Sequence, residues 1–81
     1  MSRNKTRNRT SAEAFAERLK QVQKERGLTN EDAARELGVG LRLYQMWRAD
    51  QMPGMKNLVR LARFYGVSVG WLLGEGTEVA A

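Results

Sequence analysis

The sequence contains neither cysteine nor histidine. Disulfides, zinc sites of the finger or knuckle type, and nucleophilic catalysis by Cys–His or Ser–His–Asp groups are therefore excluded. Apolar runs are no longer than three residues, so no segment predicts a membrane span. The first apolar residue after Met1 is Ala12, and this stretch does not have the pattern of a secretory signal. These absences favour a cytoplasmic binding domain over an enzyme, and no metal or cofactor is expected.

The charge of the chain is concentrated at one end. The 81 residues, enough for one small domain, carry 14 Lys and Arg against 9 Asp and Glu. The first ten residues hold no acid and four of the bases, which are Arg3, Lys5, Arg7 and Arg9. We therefore predict that residues 1–10 are a disordered basic arm. Such an arm either keeps the protein in solution or wraps a polyanion and becomes ordered on contact.

Apolar residues recur at helical spacing in five stretches, and no stretch shows the alternation of a strand. The predicted helices cover about residues 11–26, 30–38, 41–49, 55–65 and 69–73. Thr29 and Asp32 suit the start of the second helix. Glycines stand at the ends of all helices but the third: Gly27, Gly38, Gly66 and Gly74. The fold class is all-α, with an arm at 1–10, a helical domain at 11–74 and a flexible tail or linker start at 75–81.

The second and third predicted helices, with a glycine-containing turn between them, form a candidate helix-turn-helix. Motifs along residues 15–74 strengthen this interpretation: Arg26-Gly27-Leu28-Thr29, Leu37-Gly38-Val39, Asn57-Leu58 and the Tyr-Gly-Val-Ser-Val-x-Trp-Leu-Leu-Gly of residues 65–74. With these motifs the stretch resembles the lambda-repressor/Cro-type (XRE) helix-turn-helix family. The resemblance implies a five-helix lambda-repressor-like bundle that binds DNA with its third helix in the major groove.

The resemblance also implies which side chains of the third helix contact bases. By matching positions these are Leu41, Arg42, Gln45 and Met46. Arg42 can donate two hydrogen bonds to guanine O6 and N7, and Gln45 can pair with adenine. Leu41 and Met46 can make only apolar contacts, for instance with a thymine methyl group. The alternative for Arg42 is a solvated surface charge without a role in recognition.

Phosphate contacts are expected on both sides of the third helix. Asn30 takes the position where family members usually carry a Gln at the start of the second helix, whose amide meets a phosphate. The loop into the fourth helix would supply backbone amides together with Lys56 and Asn57. Residues 40–63 hold five basic residues and one acid, which favours a basic face around these positions. The alternative is that Arg60 and Arg63 only solvate the outer side of the fourth helix.

The third helix departs from the family pattern at several positions. It begins after Gly40 rather than after Ser or Thr, so we predict that it lacks a side-chain cap. Arg48 follows Trp47 where the family often has Glu, and Gln23 stands where the Arg partner of that Glu would be. The family's ion pair is therefore predicted to be absent, and Arg48 joins the predicted phosphate contacts.

Two functions from different classes remain open. The first is a sequence-specific transcriptional regulator of the bacterial or phage repressor type, binding double-stranded DNA as a homodimer on an operator with two half-sites. The second is a protein-interaction module that docks a partner through the apolar Leu41, Leu43 and Met46. The salt dependence of binding to duplex DNA discriminates between them.

Overall fold

The computed structural model describes residues 11–75, so the predicted arm and nearly all of the predicted tail lie outside the described residues. Five helices follow one another: α1 (Ser11–Arg26), α2 (Asn30–Leu37), α3 (Leu41–Arg48), α4 (Met55–Tyr65) and α5 (Val69–Leu72). Residues 11–75 contain no strand, and the predicted all-α bundle is confirmed. The bounds of α1 and α4 coincide with the prediction. The helices α2 and α3 each end one residue earlier than predicted, where Gly38 and Ala49 are the C-caps.

The ends of α2 are fixed by local hydrogen bonds. Thr29 Oγ1 accepts from Asp32 N at 3.0 Å, and Thr29 N donates to Asp32 Oδ2 at 3.3 Å, which confirms the predicted cap. Arg35 donates to Asp32 Oδ1 at 2.7 Å, and this bond, with those from Thr29, lowers the pKa of Asp32. Gly38 takes a left-handed conformation, with φ of 76°, and ends the helix. In contrast, Gly40 gives α3 no side-chain cap, as predicted.

The core is built from one side of each helix. The largest fully buried side chains come from all helices except α2: Phe15, Leu19, Tyr44, Leu61 and Leu72. The helix α2 contributes two small residues, Ala33 and Ala34, together with Leu37. Trp47 is 3% exposed and meets the ring of Tyr44 edge-on, with centroids 6.1 Å apart. Tyr44 and Trp47 therefore fasten α3 to the bundle and leave its opposite face to solvent.

Two arginines of α1 stabilise the bundle through contacts with distant residues. Arg18 lies over the ring of Trp71 at 4.7 Å and donates to the carbonyls of Trp71 and Glu75 at 2.8 and 3.0 Å. Arg26 donates to the carbonyl of Phe64 at 3.0 Å and lies 5.6 Å from the ring of Tyr65. These contacts connect α1 to α5 and α4, so both guanidinium groups have a structural role.

A buried chain of polar side chains crosses the core. Tyr44 Oη donates to Gln23 Oε1 at 2.8 Å, which leaves Tyr65 Oη, 2.8 Å from Tyr44 Oη, as the donor of that second bond. Gln23 Nε2 donates to the carbonyl of Leu28 at 3.0 Å and to Asn30 Oδ1 at 2.9 Å. This series of hydrogen-bonded side chains thus joins α4, α3 and α1 to the first residue of α2.

The two tyrosines of this hydrogen-bonded network predict how the stability of the fold responds to alkaline pH. Burial raises the pKa of both Tyr44 and Tyr65 above the usual 10.0. Above pH 10 the unfolded chain loses phenolic protons that the folded chain keeps, so the free energy of unfolding falls as the pH rises. Each tyrosine contributes at most one proton to this slope, on the order of 1 kcal/mol per pH unit, and only between its usual pKa and its raised pKa in the folded chain. The measurement is an alkaline titration that follows tyrosinate absorbance and helical circular dichroism together.

The chain has only two tyrosines, so the absorbance reports on this pair. Tyrosinate should form in step with the loss of helix, and Tyr65→Phe should make the dependence of stability on pH less steep. Tyrosinate formation near pH 10 with the helical signal unchanged would contradict the prediction.

Candidate nucleic-acid interface

The exposed face of α3 lies opposite its two core aromatics. Arg42 and Gln45 are exposed, and neither side chain makes a hydrogen bond within residues 11–75. Met46 is 38% exposed and lies one helical turn from Arg42, on the same face. Three of the four predicted base-contacting residues are therefore presented together to solvent. The DNA major groove is wide enough to admit an α-helix, and side chains on an exposed helix face can reach the base edges there.

The fourth predicted residue, Leu41, is placed differently. It is half-buried and packs against the core at the start of α3. Leu43, two residues on, is instead 38% exposed. Two methionines of the loop into α4 and of its first turn add to the exposed apolar surface, with Met52 40% and Met55 66% exposed. The exposed surface of α3 itself therefore combines hydrogen-bond donors (Arg42, Gln45) with apolar groups (Leu43, Met46).

The starts of α2 and α4 carry the predicted phosphate contacts. Asn30 is the first residue of α2 and is half-buried, while Lys56 is exposed and Asn57 is half-buried in the first turn of α4. The first backbone amide to donate within α4 is that of Leu58, to the carbonyl of Gly54 at 2.9 Å. The amides of residues 55–57 therefore have no partner within the helix, and with the helix dipole they favour an anion.

Arg48, the remaining predicted phosphate contact, lies on another side of α3. It is half-buried and lines a cleft of about 240 Å³ whose other walls are Glu13, Ala16, Glu17, Lys20, Ala49 and Asp50. Its Nε is buried and makes no hydrogen bond within residues 11–75. Its positive charge opposes the rise in the pKa of Tyr44 and Tyr65. The structure thus separates Arg48 from the face of Arg42, and its phosphate contact stays a prediction.

A family model described as a helix-turn-helix domain matches residues 16–75. This range includes all five helices except the first five residues of α1. This chain belongs to the helix-turn-helix domain family. The match confirms the resemblance to the lambda-repressor/Cro type that the sequence motifs carry, and α2 and α3 are the two helices of the motif.

Two bacterial proteins are similar to this helix-turn-helix domain. An uncharacterised HTH-type transcriptional regulator of Bacillus subtilis (strain 168), YobD, is 38% identical over 61 residues, which are 74% of this chain and 54% of that protein. The cryptic phage CTXphi transcriptional repressor RstR of Vibrio cholerae is 31% identical over 62 residues, 75% of this chain and 56% of that protein. The chain thus spans little more than half the length of these relatives. No solved structure matches it.

Sequence reasoning missed the role of Gln23 in this helix-turn-helix domain. The family pattern marked it only as a lost ion-pair partner, yet Gln23 is 5% exposed and is the centre of the buried polar chain. A signal was present, since Gln23 follows Val22 and lies four residues after Leu19, on the buried stripe of α1. A polar residue on such a stripe requires a hydrogen-bond partner in the core.

Arg60 also has a role that the sequence did not indicate. Its Nη2 donates to the carbonyl of Leu37 at the end of α2, and its Nη1 donates to Asn57 Oδ1 at 3.2 Å. Arg60 therefore connects α4 to α2 rather than only solvating the outer side of α4.

Residues 11–75 hold no group of three or more carboxylate, thiol or imidazole side chains that could bind a metal ion. No helix in that range has the length and apolar character needed to cross a membrane.

Proposed function

We propose that this helix-turn-helix domain is the sequence-specific DNA-binding part of a transcriptional regulator of the repressor type. The observation that carries the proposal is the exposed face of α3, where Arg42 and Gln45 have no partner among residues 11–75 and Tyr44 and Trp47 pack the opposite face against the core. The names of the two relatives, one a regulator and one a repressor, support this class. The proposed setting is a cytoplasmic, non-enzymatic protein that needs no metal or cofactor.

In this proposal, α3 lies in the DNA major groove, and the first turns of α2 and α4 contact the phosphate backbone of the DNA on either side of it. Arg42 donates to a guanine, Gln45 pairs with an adenine, and Met46 with the exposed part of Leu41 makes apolar contacts. Asn30, Lys56 and Asn57 meet phosphates, which set the register of α3 without reading the sequence. Two copies of the chain bind the two halves of an operator.

Binding-site selection from a random duplex pool tests the function directly. A two-fold-symmetric consensus would support a homodimer that reads one half-site with each α3. Recovery of no consensus, with equal affinity for all duplexes, would contradict sequence-specific recognition.

Replacement of Arg42 by alanine tests the role of α3. We expect a loss of about 1–3 kcal/mol in binding free energy and relaxed preference at one base pair, because the bidentate contact to guanine disappears. The measurement is the affinity of parent and variant for the selected site and for the site with that base pair changed.

Lys56→Ala is the matched control, because Lys56 is equally a single exposed cation. Its loss should weaken binding to all sequences and reduce the slope of log K against log salt by about 0.9. If Arg42→Ala behaved in the same way as this control, Arg42 would be a phosphate contact and its assignment as a base-reading residue would be wrong.

A second function has support from a specific observation, the exposed apolar side chains of Leu43 and Met46, which lie one turn apart on α3. Such a patch is typical of protein–protein contacts, and Leu41 would add its exposed part. A docking module would bind its partner with little dependence on salt and would bind duplex DNA weakly. A steep salt dependence of duplex binding supports the DNA-binding proposal instead.

A further inference from the structure

We infer that Gln23 and Arg60 are positioning residues that orient the side-chain amides of Asn30 and Asn57 for DNA phosphates. The inference rests on the proposed function, because it explains how the phosphate contacts are held in a binding geometry before DNA arrives. Neither positioning residue is proposed to touch DNA.

A carboxamide has two unlike ends. Its nitrogen donates two hydrogen bonds and its oxygen only accepts. A phosphate accepts only, so an asparagine favours a phosphate in one orientation and repels it in the other. An asparagine that rotates freely spends part of its time in the wrong orientation. Fixing the rotation therefore increases affinity without any new contact to DNA.

Gln23 fixes the rotation of Asn30. Its own amide is held at both ends, because Oε1 accepts from Tyr44 Oη at 2.8 Å and Nε2 donates to the carbonyl of Leu28 at 3.0 Å. The second hydrogen of Nε2 is thus directed to Asn30 Oδ1, 2.9 Å away. With its oxygen bound inward, Asn30 keeps Nδ2 for an outside acceptor, and no group of residues 11–75 accepts from it.

Arg60 fixes Asn57 in the same sense from another element. One guanidinium nitrogen is bound to the carbonyl of Leu37, and the other donates to Asn57 Oδ1 at 3.2 Å. Asn57 Nδ2, like Asn30 Nδ2, has no acceptor among the described residues. A guanidinium has no acceptor, so Asn57 can bind it only through its oxygen.

The arrangement therefore occurs twice, with unrelated donors, at the first turns of the two helices that flank α3. Both amides accept from a side-chain donor through oxygen, and neither nitrogen has an acceptor among residues 11–75. The contacts that result are neutral, so they release no counterion and add nothing to the salt slope of binding. This property separates them from the contact of Lys56.

The test is a pair of double-mutant cycles on duplex binding. Gln23→Met, Asn30→Ala and the double variant form the first cycle, with each affinity corrected for the folded fraction. Gln23→Met and Asn30→Ala should each weaken binding by roughly three- to tenfold, with an unchanged salt slope. In the Asn30→Ala background Gln23→Met should have no further effect, since it acts only through Asn30. An equal loss in both backgrounds would overturn the inference, because a merely structural role of Gln23 does not depend on Asn30.

Gln23→Glu is a second variant, of nearly the same shape, that still accepts from Tyr44 but loses the donor to Leu28 and Asn30. Because its buried carboxylate costs stability, its affinity is also corrected for the folded fraction. It cannot donate to Asn30 Oδ1, so the amide of Asn30 should reverse and binding should weaken. Gln21→Glu is the matched control, with the same change of charge at an exposed position of α1. Equal effects of the two variants would overturn the inference for Gln23.

The second cycle combines Arg60→Lys with Asn57→Ala. Lysine keeps the charge but cannot donate to Leu37 and Asn57 in the fixed fork of a guanidinium. Arg60→Lys should weaken binding roughly three- to tenfold in the parent and have no effect in the Asn57→Ala background. Arg63→Lys, an exposed arginine of the same helix, is the control and should change nothing.

The outcomes also distinguish the inference from the proposed function. If the parent protein binds no duplex DNA, the proposed function fails and the inference fails with it. If the parent binds DNA but the effects of Gln23 and Asn30, and of Arg60 and Asn57, are additive, only the inference fails.

Discussion

Replacement of Trp47 by alanine should unfold most of the protein. Trp47 is 3% exposed, and its ring joins Tyr44 in holding α3 against the bundle. Losses of this kind cost roughly 3–5 kcal/mol, because the indole leaves a cavity that its neighbours fill only in part. The core of a domain of this size without disulfides rarely supplies more than about 3–5 kcal/mol of stability in total. We expect a largely unfolded chain by circular dichroism and no cooperative thermal transition.

Met46→Ala is the control for this variant, because Met46 is the preceding residue of the same helix and is 38% exposed. Its loss should change the free energy of unfolding by no more than about 0.5 kcal/mol. A cooperative melt of Trp47→Ala close to that of the parent would show that the indole is not part of the core.

Deletion of residues 1–9 should change DNA binding while leaving the helical domain intact. The segment lies outside the described residues but carries four of the 14 basic residues of the chain and no acid. Each phosphate contact contributes about 0.9 to the slope of log K against log salt on duplex DNA. If all four bases engage, the slope should flatten by roughly 3 to 4 for each monomer. Affinities at several salt concentrations measure it.

The matched control keeps the length of the segment and replaces Arg3, Lys5, Arg7 and Arg9 by glutamine. It should reproduce the flattened slope, with the thermal melt and the consensus of the selected site unchanged. Parallel salt plots for truncated and full-length protein would show that the segment only keeps the protein in solution. A shifted consensus would show that it reads bases, as arms in the minor groove do.

The helices were predictable from the sequence because their signals are local. Thr29 and Asp32 stand three residues apart and cap one another, and Gly38 ends α2 in a conformation that other residues rarely adopt. Within α3, Tyr44 and Trp47 are spaced to share one face, so their burial followed from periodicity alone. The exposure of Arg42, Gln45 and Met46 followed in turn.

The hydrogen bonds made by the other arginines were not predictable, because their partners are distant in the sequence. Arg18 meets a carbonyl 53 residues away, Arg26 one 38 residues away and Arg60 one 23 residues away. Counting charges along a segment cannot separate such arginines from those that face solvent. The same limit applies to Gln23, whose partner Tyr44 is 21 residues away, although its position on the buried stripe marked it as unusual.

The last described turn of the chain lies against the first turns of α1. A side chain at Gly74 would meet Cβ of Ala14 at 2.7 Å, and Arg18 binds the carbonyl of Glu75 at 3.0 Å. The last described residues therefore lie beside the first turns of α1. A fusion partner or affinity tag joined directly after Glu75 would begin next to α1, so labels for binding assays are better attached elsewhere.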